Sequence, residues 1–126
     1  MDWRGWFLPR FGGRKPQLES LNPPDPTDLE QLEELRVRGS RLDLPHPVRA
    51  FVTFDDEATA RAAGELLERD GFKCQLRTAS PDGWTVTAVR DLVPTSGAVT
   101  RLREQMEEVA RNLGGSYGGW AAPLVY

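Results

Sequence analysis

The sequence predicts an α+β domain, a four-stranded antiparallel sheet with two helices on one face in the order βαββαβ, preceded by a short N-terminal helix. Three observations carry this. Apolar and polar residues alternate over 48–54 and 72–78, and a β-rich run follows at 84–89. Apolar residues recur at spacings of three and four over 58–67 and 99–113. Seven of the ten prolines fall in the first 47 residues, which sets an irregular N-terminal third against a compact remainder.

Residues 1–26 read as an aromatic arm followed by a proline-rich linker, and residues 27–126 as the domain. The spacing Thr27 to Glu30 fits a capping box, and Leu29, Leu32 and Leu35 give the helix behind it an apolar stripe, with Gly39 as its stop. His46, the single histidine, sits between Pro45 and Pro47, where an extended structural role is expected. In the first strand Val48, Ala50, Val52 and Phe54 share one side. Asp55 is expected to cap the next helix, with Ala58, Ala62, Ala63, Leu66 and Leu67 on its inner face and Gly71 at its end. Phe72, Cys74 and Leu76 then alternate with Lys73, Gln75 and Arg77. The turn Ser80-Pro81-Asp82-Gly83 returns the chain into a strand over 84–89. Pro94 and Thr95 introduce a helix with Val99, Leu102, Met106, Val109, Ala110 and Leu113 inward, stopped by Gly114, and a glycine-broken final strand closes the chain. Strand, helix, strand, strand, helix, strand is the split βαβ arrangement of ferredoxin-like folds.

The net charge of −3 is spread evenly, with nine basic and eleven acidic groups over 48–126. No segment is basic enough to hold nucleic acid by charge alone, so direct nucleic-acid binding is not expected. A lone cysteine, Cys74, makes no internal disulfide and reads as a small core residue. No apolar run reaches the ~20 residues of a membrane span. The N-terminus lacks the apolar stretch of a secretory signal, so a cytoplasmic location is expected. With one histidine and one cysteine, neither a histidine-based triad, a zinc site nor a glycine-rich phosphate loop followed by Lys-Ser or Lys-Thr is indicated, and no cofactor, metal or enzymatic activity is expected.

Two surfaces remain as candidates for binding. Arg49, Phe51, Thr53, Lys73, Gln75, Arg77, Thr85 and Thr87 line the sheet face away from the two helices. That face either binds a partner, is an ordinary solvated face, or is sheltered by the helix at 28–38. An RNA-recognition module shares the element order, but it needs stacking rings on its third strand, and here Thr85 and Thr87 stand there. Trp3, Trp6, Phe7 and Phe11 form a second candidate, a docking arm that enters a partner's pocket, touches a membrane interface peripherally, or folds back on its own domain.

Phe51 and Phe54 close the first strand. Asp70-Gly71-Phe72 closes the helix, and Asp82-Gly83-Trp84 precedes the third strand. Gly114-Gly115-Ser116-Tyr117-Gly118-Gly119-Trp120 ends the domain. In this order, together with the first helix and the connector Leu44–Pro47, these motifs resemble the regulator of ribonuclease activity B (RraB) family over about residues 32 to 126. The resemblance implies a ferredoxin-like protein inhibitor that binds a ribonuclease E-type endoribonuclease and alters its action on messenger RNA. The alternative is a general protein-interaction module of the same fold with an unrelated partner.

Overall fold

The computed structural model describes residues 17–79, 81 and 83–126, so the aromatic arm with Trp3, Trp6, Phe7 and Phe11, and Ser80 and Asp82 of the expected turn, lie outside the described residues. The elements are α1 (Pro26–Val37), β1 (His46–Phe54), α2 (Glu57–Arg69), β2 (Lys73–Ala79), β3 (Gly83–Leu92), α3 (Ser96–Leu113) and β4 (Ser116–Ala121). The expected α+β class is found: the four strands form one antiparallel sheet in the order β2-β3-β1-β4. The unit β1-α2-β2 therefore straddles β3, and β3-α3-β4 straddles β1. β1 and β3 pair without interruption from His46 opposite Leu92 to Phe54 opposite Trp84.

The alternation expected for β1 is present. His46, Val48, Ala50, Val52 and Phe54 are buried beneath the helices, and the residues between them are exposed or half-buried. Val86 and Ala88 of β3 meet Ala60, Ala63 and Leu67 of α2, and Val99, Leu102, Met106 and Ala110 of α3 complete one continuous core. Each large aliphatic side chain removed from water here contributes about 1.5–3 kcal/mol.

Local chemistry moves several boundaries. α1 is capped not by Thr27 but by Asp25, whose Oδ1 accepts the Thr27 N–H at 2.8 Å. Pro26 takes the first helical position, where its missing N–H has no cost. The inward face of α1 is Asp28, Leu32 and Leu35, and Leu29 is 44 % exposed. α2 is capped by Asp56 rather than Asp55, because Asp56 holds both the backbone N–H and the hydroxyl of Thr59. Its buried face is Ala60, Ala63 and Leu67, rotated from the expected one, and Ala58 and Leu66 face solvent. For α3 the expected Thr95 start, the stripe and the left-handed Gly114 stop are all found, with Val109 and Leu113 half-buried at its border.

The linker chemistry continues onto the domain. Gln17 exchanges hydrogen bonds with the backbone of Val93 in both directions, Thr95 donates to Glu19, and the Ser20 N–H donates to the Gly97 carbonyl. Ser20 and Asn22 both donate to Glu104. At the other end Val125 donates its N–H to Ser40 Oγ at 2.8 Å, and that hydroxyl lies 2.6 Å from His46 Nε2. His46 Nδ1 donates to the Leu44 carbonyl at 2.8 Å. The single histidine is thus a buried tie at the start of β1, with both ring nitrogens engaged.

One polar contact sits inside the helix layer. Asp28 is 1 % exposed. It accepts two hydrogen bonds from Arg103, at 2.8 and 2.9 Å, and a third from Trp120 Nε1 at 3.0 Å. Removing one partner of such a pair strands a desolvated charge. Asp28→Ala is expected to lower unfolding stability by about 3 kcal/mol, the lower end of the usual range because Arg103 keeps some access to water. Asp28→Leu combined with Arg103→Met is expected to recover most of that loss in urea unfolding, falling short because Trp120 Nε1 loses its acceptor.

Both caps titrate. The Thr27 backbone N–H holds the Asp25 carboxyl below its ordinary value, and the Thr59 backbone N–H does the same for Asp56. A carboxyl lowered in the folded state adds stability that is complete above its unfolded pKa, near 4, and is lost as pH falls through the folded value. The thermal midpoint is expected to fall on acidification below about pH 4, and to fall less in the Asp25→Asn/Asp56→Asn variant; calorimetry across this range checks it.

Candidate functional site

The sheet face opposite the helices is assembled by strand register. Its rows run Lys73–Val89–Arg49, Gln75–Thr87–Phe51, and Arg77–Thr85–Thr53–Ser116. All eight side chains singled out from the sequence for this face, Arg49, Phe51, Thr53, Lys73, Gln75, Arg77, Thr85 and Thr87, fall on it together. Arg49, Lys73, Gln75 and Arg77 are exposed, and Phe51, Thr85 and Thr87 are half-buried.

No described helix covers this face. α1, one candidate shelter, packs beside α3 at the β4 edge, where Gln31 Nε2 donates to the Trp120 carbonyl at 2.6 Å. Its position follows from Asp28, which is drawn to Arg103 and Trp120 on the helix side. Arg49, Lys73 and Arg77 form no ion pair with another described residue. The only acidic side chain that the described strand residues bring to the face is Asp91, opposite Pro47 at its end. The face is therefore locally cationic on a chain of net charge −3. Phe51 lies at its centre, flanked by Thr87 and by Gly118, whose Cα would hold a Cβ only 3.7 Å from that of Phe51. Bare glycine leaves that flank of the ring uncovered.

A feature that alternation alone misplaces is the closing motif. Val52 pairs with Tyr117 and Ala50 with Trp120, so two steps on β1 meet three on β4. This is a β-bulge, and Gly119 within it takes φ +97°, a conformation that glycine adopts without steric cost. The bulge brings Tyr117 and Trp120 to the same helix-facing side. There Arg103 lies 5.3 Å from the Tyr117 ring centroid, with Asp25 at 3.7 Å and Glu107 at 3.6 Å completing its surroundings. Burial pushes the Tyr117 phenol well above its ordinary value, and its hydroxyl has no hydrogen-bond partner among the described residues. Gly115 serves differently: a Cβ there would collide with the Thr53 carbonyl and the Phe54 ring. The sequence signal for the bulge was the three-residue spacing of the two aromatics across a glycine pair.

A concavity of about 230 Å³ opens between α2 and the β2 edge. Ala60, Gly64, Cys74, Leu76 and Val86 form its floor, and Arg61, Glu65 and Glu68 stand among its lining residues. Cys74, expected as a core residue, is half-buried in this groove. Burial, with Glu68 adding to it, pushes its thiol up to about 11. Among the described residues, no group of three or more His, Cys, Asp or Glu side chains is placed to hold a metal ion. No described helix is long and apolar enough to cross a membrane.

Fold and site together define an α+β protein with a cationic sheet face that no described helix covers. The chain belongs to the family of regulator of ribonuclease activity B: the family model matches residues 27–121, from the first turn of α1 to the last residue of β4. No curated protein and no solved structure matches it.

The state of Cys74 is directly measurable. Iodoacetamide at neutral pH is expected to label it on the order of a hundredfold more slowly than a free thiol, with the rate still rising above pH 9. Labelling at the rate of an ordinary exposed cysteine would contradict the burial described.

Proposed function

We propose that this chain is a non-catalytic regulatory protein that binds an endoribonuclease of the ribonuclease E type and so modulates RNA decay. The single observation that carries the reading is the family match over residues 27–121, the family being described as a regulator of ribonuclease activity. The strand order supports the ferredoxin-like assignment: each βαβ unit leaves a gap one strand wide that the other unit fills. The contact surface in this reading is the open sheet face, with Phe51 as its aromatic anchor and Arg49, Lys73, Gln75, Arg77, Thr85 and Thr87 around it. A central half-buried aromatic ringed by polar side chains is the composition of an interface centre.

The partner in this reading is the ribonuclease itself rather than its RNA. Base stacking draws on rings on both central strands, and across from Phe51 the face presents Thr87, with Thr85 across from Thr53. The site of action is the cytoplasm, where such a ribonuclease meets messenger RNA.

Adding the purified chain to a ribonuclease E-type enzyme acting on a model RNA is the test. Slower cleavage is expected, with no cleavage by the chain alone, and an unchanged rate with no complex at micromolar concentration would defeat the reading. Phe51→Ala is expected to weaken the complex by about tenfold to a hundredfold. The same substitution is expected to shift the thermal midpoint by only a few degrees, since Phe51 lies outside the buried core.

A further inference from the structure

β2 lies at one end of the sheet, so one of its edges has no described strand beside it. It pairs with β3 in unbroken register from Lys73 opposite Val89 to Ala79 opposite Gly83, without bulge or proline. A straight edge of this kind presents a row of backbone N–H and C=O groups to any extended chain that approaches. Directly beside it on the helix side runs the groove floored by Ala60, Gly64, Leu76 and Val86. Gly64 lines that groove: a Cβ at this position would stand in ordinary van der Waals contact, 3.9 Å from the Cβ of Cys74, so a larger side chain there would intrude on the space beside β2. An edge strand next to a helix-walled groove with apolar side chains in its lining is the arrangement that accepts an added strand and takes its alternate side chains.

We propose that the β2 edge and the groove beneath α2 form a docking site for an extended segment of the partner protein, one that carries acidic residues at alternate positions and apolar residues between them. The acidic positions follow from charge. An added strand places every second residue on the open face, beside Lys73, Gln75 and Arg77. Neither Lys73 nor Arg77 forms an ion pair with another described residue. The intervening residues face α2, where Glu65 and Glu68 line the groove and its one cation, Arg61, is already paired with Glu57, so an acidic side chain is disfavoured. The pattern is therefore alternating, not uniformly acidic.

The same charges decide against a second copy of this chain. Antiparallel self-pairing of β2 about Gln75 sets Lys73 opposite Arg77 of the other copy, twice, and like charges directly opposite each other destabilise a strand pair. The β4 edge is no equivalent site, because the bulge at Gly119 bends its backbone.

This inference rests on the proposed function only in taking the partner to be the ribonuclease, and the test separates the two. The probe is a short peptide alternating Glu and Val, compared with one alternating Lys and Val, added to the full chain. The Glu peptide is expected to bind and to slow amide exchange along residues 73–78, and the Lys peptide is expected to do neither. Lys73→Glu/Arg77→Glu is expected to invert that preference. Gly64→Leu, a change that favours the helix, is expected to lower affinity for the Glu peptide by about tenfold or more with the circular dichroism unchanged.

Equal binding of both peptides, exchange unchanged at 73–78, or a dimer protected along β2 in sedimentation and exchange would each overturn the proposal. The ribonuclease is then tested on the same variants. If it binds wild type and charge-reversed chain alike, the docking site falls and the regulatory reading stands. If the Glu peptide binds as expected and the ribonuclease binds neither, the site stands and the regulatory reading falls.

Discussion

The Asp28 carboxylate joins parts of the chain 75 and 92 residues apart, holding Arg103 of α3 and Trp120 of β4 against α1. A carboxylate with almost no solvent access needs hydrogen-bond partners for its oxygens, and here three donors supply them. Other features follow from it. α1 is fixed beside α3 rather than across the sheet. β4 is clamped by its last aromatic, which makes the bulge at Gly119 necessary, since without it Tyr117 and Trp120 would point to opposite faces. The closing glycine-rich motif thus serves the same contact as the cap at Asp25, which stands 3.7 Å from Arg103.

Because α1 is held there, the second sheet face is left uncovered by any described helix. An antiparallel sheet tolerates that, provided the face is polar enough to meet water. Arg49, Lys73, Gln75, Arg77 and the threonines meet that condition, and Phe51 is the exception among them. An aromatic ring kept at the centre of a solvated face has no stabilising role in the core beneath. The face adjoins the straight β2 edge, so a surface of side chains and an edge of backbone groups lie side by side among the described residues.

The strands were legible because period-two alternation is a local property. In β1 the alternate positions Val48, Ala50, Val52 and Phe54 met the helices as expected, Cys74 and Leu76 of β2 did so half-buried, and the open face followed by elimination. α3 was legible for a similar reason, since its start, stripe and stop all lie within one continuous segment. The caps of α1 and α2 were each misplaced, from Thr27 to Asp25 and from Asp55 to Asp56. Neighbouring Asp and Thr residues compete for the same backbone N–H groups, and only the entry angle of the chain selects between them. The stripe of α1 was misread at Leu29 and Asp28, because an aspartate inside a helix layer makes sense only once its arginine is known.

What the sequence by itself determined is the α+β class, the strand faces, the open-face residues and the family, all of which rest on short-range periodicity or on ordered motifs. The tertiary structure alone decided that Asp28 is buried, that His46 is a tie between Ser40 and Leu44, and that Gly64 lines a groove beside an edge with no described strand next to it. Each of these depends on residues brought together across the fold. A buried charge, a shared hydrogen bond and a cavity are properties of pairs and triples of distant side chains, and a linear pattern carries no record of which ones meet.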